Sequence, residues 1–305
     1  MNEEIRDGLR RVIWEPSAKT GGKLDEWSAT EILHTTQSVI SQLICRLVVG
    51  RTFSRNLEFT QKVADFSYSV IIWSIILDWI PDFLRPWIAW LLPIEKTKSK
   101  ISDYLCGEIL RCLSSPLAST ETSAILHQLV HLSRAENGNS FYSVDETIKC
   151  VTTQFLSITF GAIDPTTVAV SQVVLDLLSQ PSSKYLVALQ EEATTVLARH
   201  GGNWSLEAVK ELKLMDSFIR ESQRLHPIGI TLAARKVIHK GGWTFENGDH
   251  APAGSLISVP TYAIHHDKAL YSDPEQFEGF RFVEDDKLKT TGDAFLAFGY
   301  GRHAW

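Results

Sequence analysis

Glu221 and Arg224 lie three residues apart in KLMDSFIRESQRLHP, a stretch whose apolar spacing predicts a helix carrying acid and base on one face. Apolar positions flank both, so the pair can be buried, which requires good geometry and further hydrogen bonds to offset desolvation. Arg281, between two phenylalanines in EGFRF, is the candidate third member, because a guanidinium's five donors can bridge a carboxylate and nearby carbonyls. Taken alone, the pair also fits a solvent-facing i,i+3 contact of about 0.2–0.5 kcal/mol. Asp164-Pro165-Thr166 sets a carboxyl and a hydroxyl beside a proline inside a long apolar run. His127 and His131 are four apart, a spacing that can bind metal on a helix. No acidic residue sits between them as in HExxH, and no third ligand is evident.

These residues must be placed by a sizeable core. The chain has 305 residues, 44% hydrophobic and 22% charged, which reads as globular. A net charge of −6 gives no basic surface for nucleic acid. Cys45, Cys106, Cys112 and Cys150 are scattered among apolar helical stretches with no metal-ligand or disulfide spacing, so they read as buried thiols in a reducing compartment. The start, MNEEIRDGLRR, is too charged for a signal peptide, and the chain is expected to be intracellular.

In chain order, residues 1–20 predict a polar amphipathic helix, and Asp25–Val49 a second helix stopping at Gly50. Residues 66–93 are the most apolar stretch, but charges and prolines interrupt it well short of the roughly twenty residues that span a bilayer. They read either as two buried helices joined at Pro81 or as a hairpin whose Trp73, Trp79, Trp87 and Trp90 rest in a membrane interface. Helices are also expected over Glu95–Arg111, ILHQLVHL and Gln180–His200, the last capped by Gly201-Gly202. The longest helix runs from Val144 to Leu178, with Ser143 and Glu146 as a capping box. Its apolar character on nearly every face predicts burial all round, and Pro165 predicts a bend near Gly161–Asp164, with Asp164 and Thr166 satisfying freed backbone groups. Beyond Pro227, GITLAARKV reads as a strand and GGWTFENGDHAPAGSLISVP as a small hairpin sheet.

Three of these stretches occur in order: Glu221-Ser222-Gln223-Arg224, then DPEQFEGFRF with Arg281, then FGYGRHAW from Phe298 to Trp305. Together they resemble the C-terminal core of a cytochrome P450 of the fungal, membrane-associated, secondary-metabolism type. They match the family's ExxR helix, Arg-containing meander and haem-binding loop FGxGRHxC. The likeness extends to the first residues, with Gly50, Arg55 and Asn56 matching a G-x-x-x-x-R-N turn. It implies a mainly α fold, an incomplete P450 with a long central helix and a small β-hairpin sheet in the C-terminal half. Residues 1–305 would be a single partial P450 domain, with the membrane anchor, first sheet region and C-terminal end absent.

In the resemblance, Glu221, Arg224 and Arg281 form a structural charge triad behind the haem. Gly161 and Ala162 leave room beside the iron. Asp164 relays protons, and Thr166 stands one residue past the usual threonine position, which Pro165 occupies. Arg235, Phe298, Arg302 and His303 contact the haem, and residues 66–93 form a lid that touches membrane. His265 lies near the helix that stacks over the triad. The family's iron-holding cysteine falls at Trp305, whose indole has one N–H donor and no suitable lone pair.

A complete relative would take electrons from NADPH through cytochrome P450 reductase at the endoplasmic reticulum. It would insert one oxygen atom of O₂ into a bulky lipophilic substrate such as a terpenoid or prenylated alkaloid. This chain is expected to be truncated and inactive, without a transmembrane anchor. Two alternatives stand beside that reading: an active enzyme if the product continues past residue 305 with the cysteine, and a non-catalytic helical interaction protein with a large exposed apolar patch.

Overall fold

A computed structural model describes residues 2–10, 29–81, 83–114, 124–135, 143–181, 183–283, 292–301 and 304. It is mainly helical, with one long central helix and small antiparallel strand pairs in the C-terminal half. The chain divides into two compact units, Met1–Val168 and Ala169–Trp305.

The first unit contains α1 (Asn2–Leu9), α2 (Ile32–Val48), α3 (Arg51–Ser54), α4 (Leu57–Asp78), α5 (Arg85–Leu91), α6 (Ile94–Ser114), α7 (Ala124–Ala135) and most of α8 (Val144–Ser179). The helix expected over residues 1–20 is seen as α1, and residues 11–20 lie outside the described residues. Gly50 takes φ +106°, a conformation costly for a side-chain-bearing residue, and so turns α2 into α3. Asn56 then caps α4, its side-chain oxygen accepting from the Phe59 N–H at 3.1 Å. Phe59 is fully buried, its ring centroid 5.2 Å from Phe53, 5.6 Å from Tyr104 and 5.9 Å from Phe155. Around these rings, Ile101, Leu105 and Ile109 of α6 meet Leu126 and Val130 of α7 and Val151 of α8. Residues 66–93 do form two helices, with Trp79–Leu84 between them. Trp79, Phe83 and Trp87 are 87%, 74% and 74% exposed, so the linking turn and the start of α5 face outward.

The capping box of α8 is formed: Glu146 accepts from the Ser143 N–H at 2.8 Å, and the Glu146 N–H reaches the Ser143 hydroxyl at 3.3 Å. The helix runs unbroken through Pro165. Burial all round is not what α8 shows. Phe155, Leu156 and Ile163 lie in the core, whereas Ile158, Phe160, Val168, Val170, Leu175 and Leu178 are exposed. Only one stripe of an all-round apolar helix finds a partner here. Among the described residues α8 is the one helix long and apolar enough to cross a membrane, yet its core stripe packs as in an interior helix.

The second unit adds α9 (Lys184–Arg199), α10 (Leu206–Lys210), α11 (Lys213–Leu225) and α12 (Thr261–His265). Strand β1 (Leu232–Lys236) pairs antiparallel with β4 (Leu256–Val259), Arg235 opposite Ile257. Strands β2 (Trp243–Thr244) and β3 (His250–Ala251) form a second small pair.

Candidate functional site

The amphipathic spacing of α11 turns Ser217, Phe218, Arg220, Glu221, Ser222 and Arg224 inward. Arg224 and Glu221 have no exposed surface. The guanidinium meets the carboxylate as a fork, Nε to Oε2 at 2.8 Å and Nη2 to Oε1 at 2.9 Å. Its remaining donors go to backbone carbonyls: Nη1 to His265 at 2.7 Å and to Pro274 at 2.8 Å, and Nη2 to Gln276 at 3.4 Å. All five N–H groups are thereby used. Glu221 also accepts from the Glu278 N–H at 2.9 Å and from Arg281 Nε at 3.1 Å to both oxygens.

Arg281 reaches onward to the carbonyls of Ser272 at 2.6 Å and Gln276 at 3.2 Å, and to Glu278 at 3.5 Å. The structure thus brings Glu221, Arg224 and Arg281 together, with Glu278 as a fourth, more exposed charge. Two carboxylates against two guanidiniums balance, so the cluster is not left with a net buried charge. Asp273 supports the geometry from an unusual backbone position, φ +44°, in a turn closed by Gln276 N–H to its carbonyl at 2.9 Å.

His265 carries the network forward. Its Nδ1 lies 3.0 Å from the Arg224 carbonyl, and the Leu296 N–H donates to Nε2 at 2.8 Å. These partners require the neutral tautomer with the proton on Nδ1, since a second proton on Nε2 would face an N–H. Burial pushes the imidazole down to about 4. The Tyr271 hydroxyl donates to the Ala294 carbonyl at 2.7 Å, and burial raises that phenol to about 12. Phe295 stacks on His265 at 5.4 Å, and Arg220 lies 4.3 Å over the Phe282 ring. Glu221, Arg224, Arg281, His265 and Tyr271 are thus bonded to one another and to backbone. The cluster can fasten α11, the 271–281 meander and the 294–296 segment to one another, and its buried members Glu221, Arg224 and His265 have no free hydrogen-bonding position.

Beyond Leu296 the chain turns through two glycines in left-handed conformations, Gly299 at φ +83° and Gly301 at φ +71°. Phe298 in this loop is 39% exposed. Arg302, His303 and Trp305 lie outside the described residues. Arg235 is exposed on β1, with Nη1 3.0 Å from the neighbouring Ala234 carbonyl. Asp164 is half-buried on α8. Burial raises its carboxyl above the ordinary range, and the Gln37 side chain on α2 hydrogen-bonds it. Its Oδ2 has no partner among the described residues. The expected bend near Gly161–Asp164 is not seen as a break, since the helix continues through Pro165. Thr166 is exposed, while the next residue, Thr167, is buried with its hydroxyl unpartnered among the described residues.

The position at which the resemblance expects a haem-holding cysteine carries Trp305 in the sequence. The four thiols are elsewhere, Cys45 on α2, Cys106 and Cys112 on α6 and Cys150 on α8. Cys45 is fully buried and pushed up to about 12, and burial raises Cys112 as well, which suits inert core thiols. Among the described residues no group of three or more His, Cys, Asp or Glu could hold a metal. The residues present do not fit a thiolate-ligated haem.

Two supports were missed from the sequence because their partners are remote in the chain. Asp176, near the end of α8, accepts from the Ser222 hydroxyl at 2.6 Å, and its Oδ2 lies 3.1 Å from His226 Nδ1. Glu192 on α9 accepts from the N–H groups of Leu214 and Met215 at 2.7 and 2.9 Å, so a carboxylate from another helix caps α11. Ser222 lies between Glu221 and Arg224 and His226 two residues beyond, and no local pattern in the sequence points from them to Asp176.

A family model described as Cytochrome P450 matches residues 13–304. Cytochrome P450 monooxygenase gloP of Glarea lozoyensis is 30% identical over 91% of this chain and 56% of its own length. Ent-kaurene oxidase of Gibberella intermedia is 28% identical over 100% of this chain and 56% of its own. The chain thus spans about half the length of the curated relatives it matches. Among solved structures, retinoic acid-bound cyanobacterial CYP120A1 superposes with a TM-score of 0.65 at 20% identity, over 100% of this chain and 64% of that one.

Proposed function

Because the chain belongs to the cytochrome P450 family, we propose that residues 1–305 form one partial P450 domain that keeps the scaffold behind the haem loop and lacks the thiolate that drives oxygen activation. Residues 1–305 then do not carry out monooxygenation. The observation that supports this reading most is a contrast within one stretch. The clamp of Glu221, Arg224, Arg281 and His265 is fully hydrogen-bonded up to Leu296, and nine residues later the ligand position holds tryptophan.

In a thiolate-bearing member the haem supplies the oxidising chemistry and the protein supplies orientation, a dry pocket and electronic tuning. The reading gives Arg235, Phe298, Arg302 and His303 the role of holding such a group by its rim and carboxylates. Asp164, its carboxyl raised by burial, would hold a proton in the role that Thr166 shares. A lipophilic small molecule, a terpenoid or prenylated alkaloid, is the substrate class for such a member, with an NADPH-dependent reductase as electron donor. The outward-facing Trp79, Phe83 and Trp87 suit contact with the endoplasmic reticulum surface.

The test is spectroscopic. Residues 1–305 are expressed, supplied with haem and reduced under carbon monoxide, beside Trp305→Cys treated identically. The parent should lack the red-shifted Soret band of a thiolate-ligated carbonyl complex, and the variant should gain it. A red-shifted band in the parent would overturn the reading.

A further inference from the structure

A groove of about 190 Å³ runs between α4, α6 and α8. Its apolar lining is Phe66 and Val70 of α4 with Leu156 and Phe160 of α8. Phe66 and Leu156 belong to the buried core of the first unit, and Val70 packs against that core. The floor of the groove is therefore in place before any ligand arrives, which lowers the ordering cost of binding. An apolar cavity of about 150 Å³ takes benzene, so this one suits a ring or branched chain of roughly seven carbons.

Three polar side chains line the groove as well, Lys98 of α6 and Thr153 and Ser157 of α8. The two hydroxyl protons are already placed: Thr153 donates to the Lys149 carbonyl at 2.8 Å and Ser157 to the Thr153 carbonyl at 2.9 Å, and a hydroxyl has one proton to give. Lys98 is half-buried, and its ammonium has no hydrogen bond or ion pair among the described residues. The donors that the lining side chains can offer are thus the three N–H groups of Lys98. A ligand facing them must accept hydrogen bonds, and one positive charge is matched by one negative charge. A phosphate monoester, at about −1.5 to −2, would leave excess charge against apolar walls.

We propose that this groove binds a lipophilic monocarboxylate, its carboxylate paired with Lys98 and its hydrocarbon part laid against Phe66, Val70, Leu156 and Phe160. The pairing is a charge-assisted hydrogen bond, the strong kind, made beside a low-dielectric wall. The groove lies wholly within the first unit, so binding there does not depend on the haem reading.

The experiment is a ligand-observed NMR titration of residues 1–305 at neutral pH with cyclohexanecarboxylate, its neutral counterpart cyclohexanecarboxamide, and cyclohexyl phosphate. It is repeated with Lys98→Met and Lys98→Arg. The parent should bind the carboxylate saturably and the amide at least roughly tenfold more weakly, the cost of losing a hydrogen bond to a charged group. Lys98→Met keeps the apolar stem and should bring the carboxylate down to the amide's affinity, whereas Lys98→Arg should keep the preference. Absence of saturable carboxylate binding, or equal binding of carboxylate and amide by the parent, would overturn the proposal without recourse to a variant. An unchanged preference in Lys98→Met would overturn the role of Lys98, and tighter binding of the phosphate would overturn the choice of a carboxylate.

Discussion

Replacing Arg224 with lysine keeps the charge and removes the fork. The guanidinium spends five donors on Glu221 and on the carbonyls of His265, Pro274 and Gln276. An ammonium has three donors on a single atom, so at least two of these contacts must be lost. Arg224 has no exposed surface, so water does not replace them. Each buried acceptor left unpaired costs about 1–3 kcal/mol, so Arg224→Lys should cost about 2–6 kcal/mol locally. Arg281→Lys is the internal control. Arg281 also bonds Glu221, but its contacts to Ser272 and Gln276 lie at an exposed edge where water can substitute, so about 1 kcal/mol is expected. The readout is hydrogen exchange of peptides covering 213–225 in the whole chain, which avoids assuming that both units unfold together. A loss of 3 kcal/mol raises the open population by about two orders of magnitude. Equal acceleration in the two variants, or less than threefold for Arg224→Lys, would refute the claim that burial and donor count make this residue the centre of the clamp.

Three further outcomes follow from the same geometry. His265 stays neutral down to about pH 4 when folded but takes a proton near its ordinary pH of about 6.5 when unfolded. Its contribution is thus complete above 6.5 and lost as pH falls to 4, a change of about 3 kcal/mol; exchange of the 261–265 and 294–297 amides should speed up across that window in the parent and lose this component in His265→Gln. Gly279→Ala would set a Cβ 2.6 Å from Phe218 Cδ2 and 2.8 Å from Tyr185 Cε1, rings locked edge-to-face with each other, so thermal unfolding should show a loss of about 1–3 kcal/mol. Ser143→Ala removes one side of the α8 capping box and should cost about 1 kcal/mol, seen as fraying confined to the first turn in exchange measurements.

How much of this was legible in the sequence depends on the range of the interaction. Local signals read well. Ser143 and Glu146 announce the start of α8 because a capping box closes within four residues, and the apolar spacing of 213–225 announces α11 because one helical face decides burial. Glu221 and Arg224 were legible as a pair for the same reason, and Arg281 as a partner only through its place in EGFRF. The contacts of His265 and Glu192 were not, since each joins segments more than twenty residues apart and no local pattern encodes the meeting. Burial of α8 was misjudged for a related reason. Composition reports which faces could be buried, whereas packing decides which of them meet a partner, and here Leu175 and Leu178 do not.

The clamp itself argues for where function resides. A group that performs acid–base work must exchange a proton with substrate or water during the reaction, so it needs contact with one of them. Glu221 and Arg224 have no exposed surface and so no such contact, and His265 is locked into one tautomer by donors and acceptors on both nitrogens. Asp164 is different: one carboxyl oxygen is buried without a partner among the described residues, and its protonated form is favoured by burial. The clamp, by contrast, fastens the base of the segment that ends at Leu296. A substitution at the loop's ligand position, Trp305 for cysteine, would then remove chemistry while leaving the clamp's energetics untouched. Trp305→Cys should accordingly alter the haem spectrum without changing exchange across 213–225.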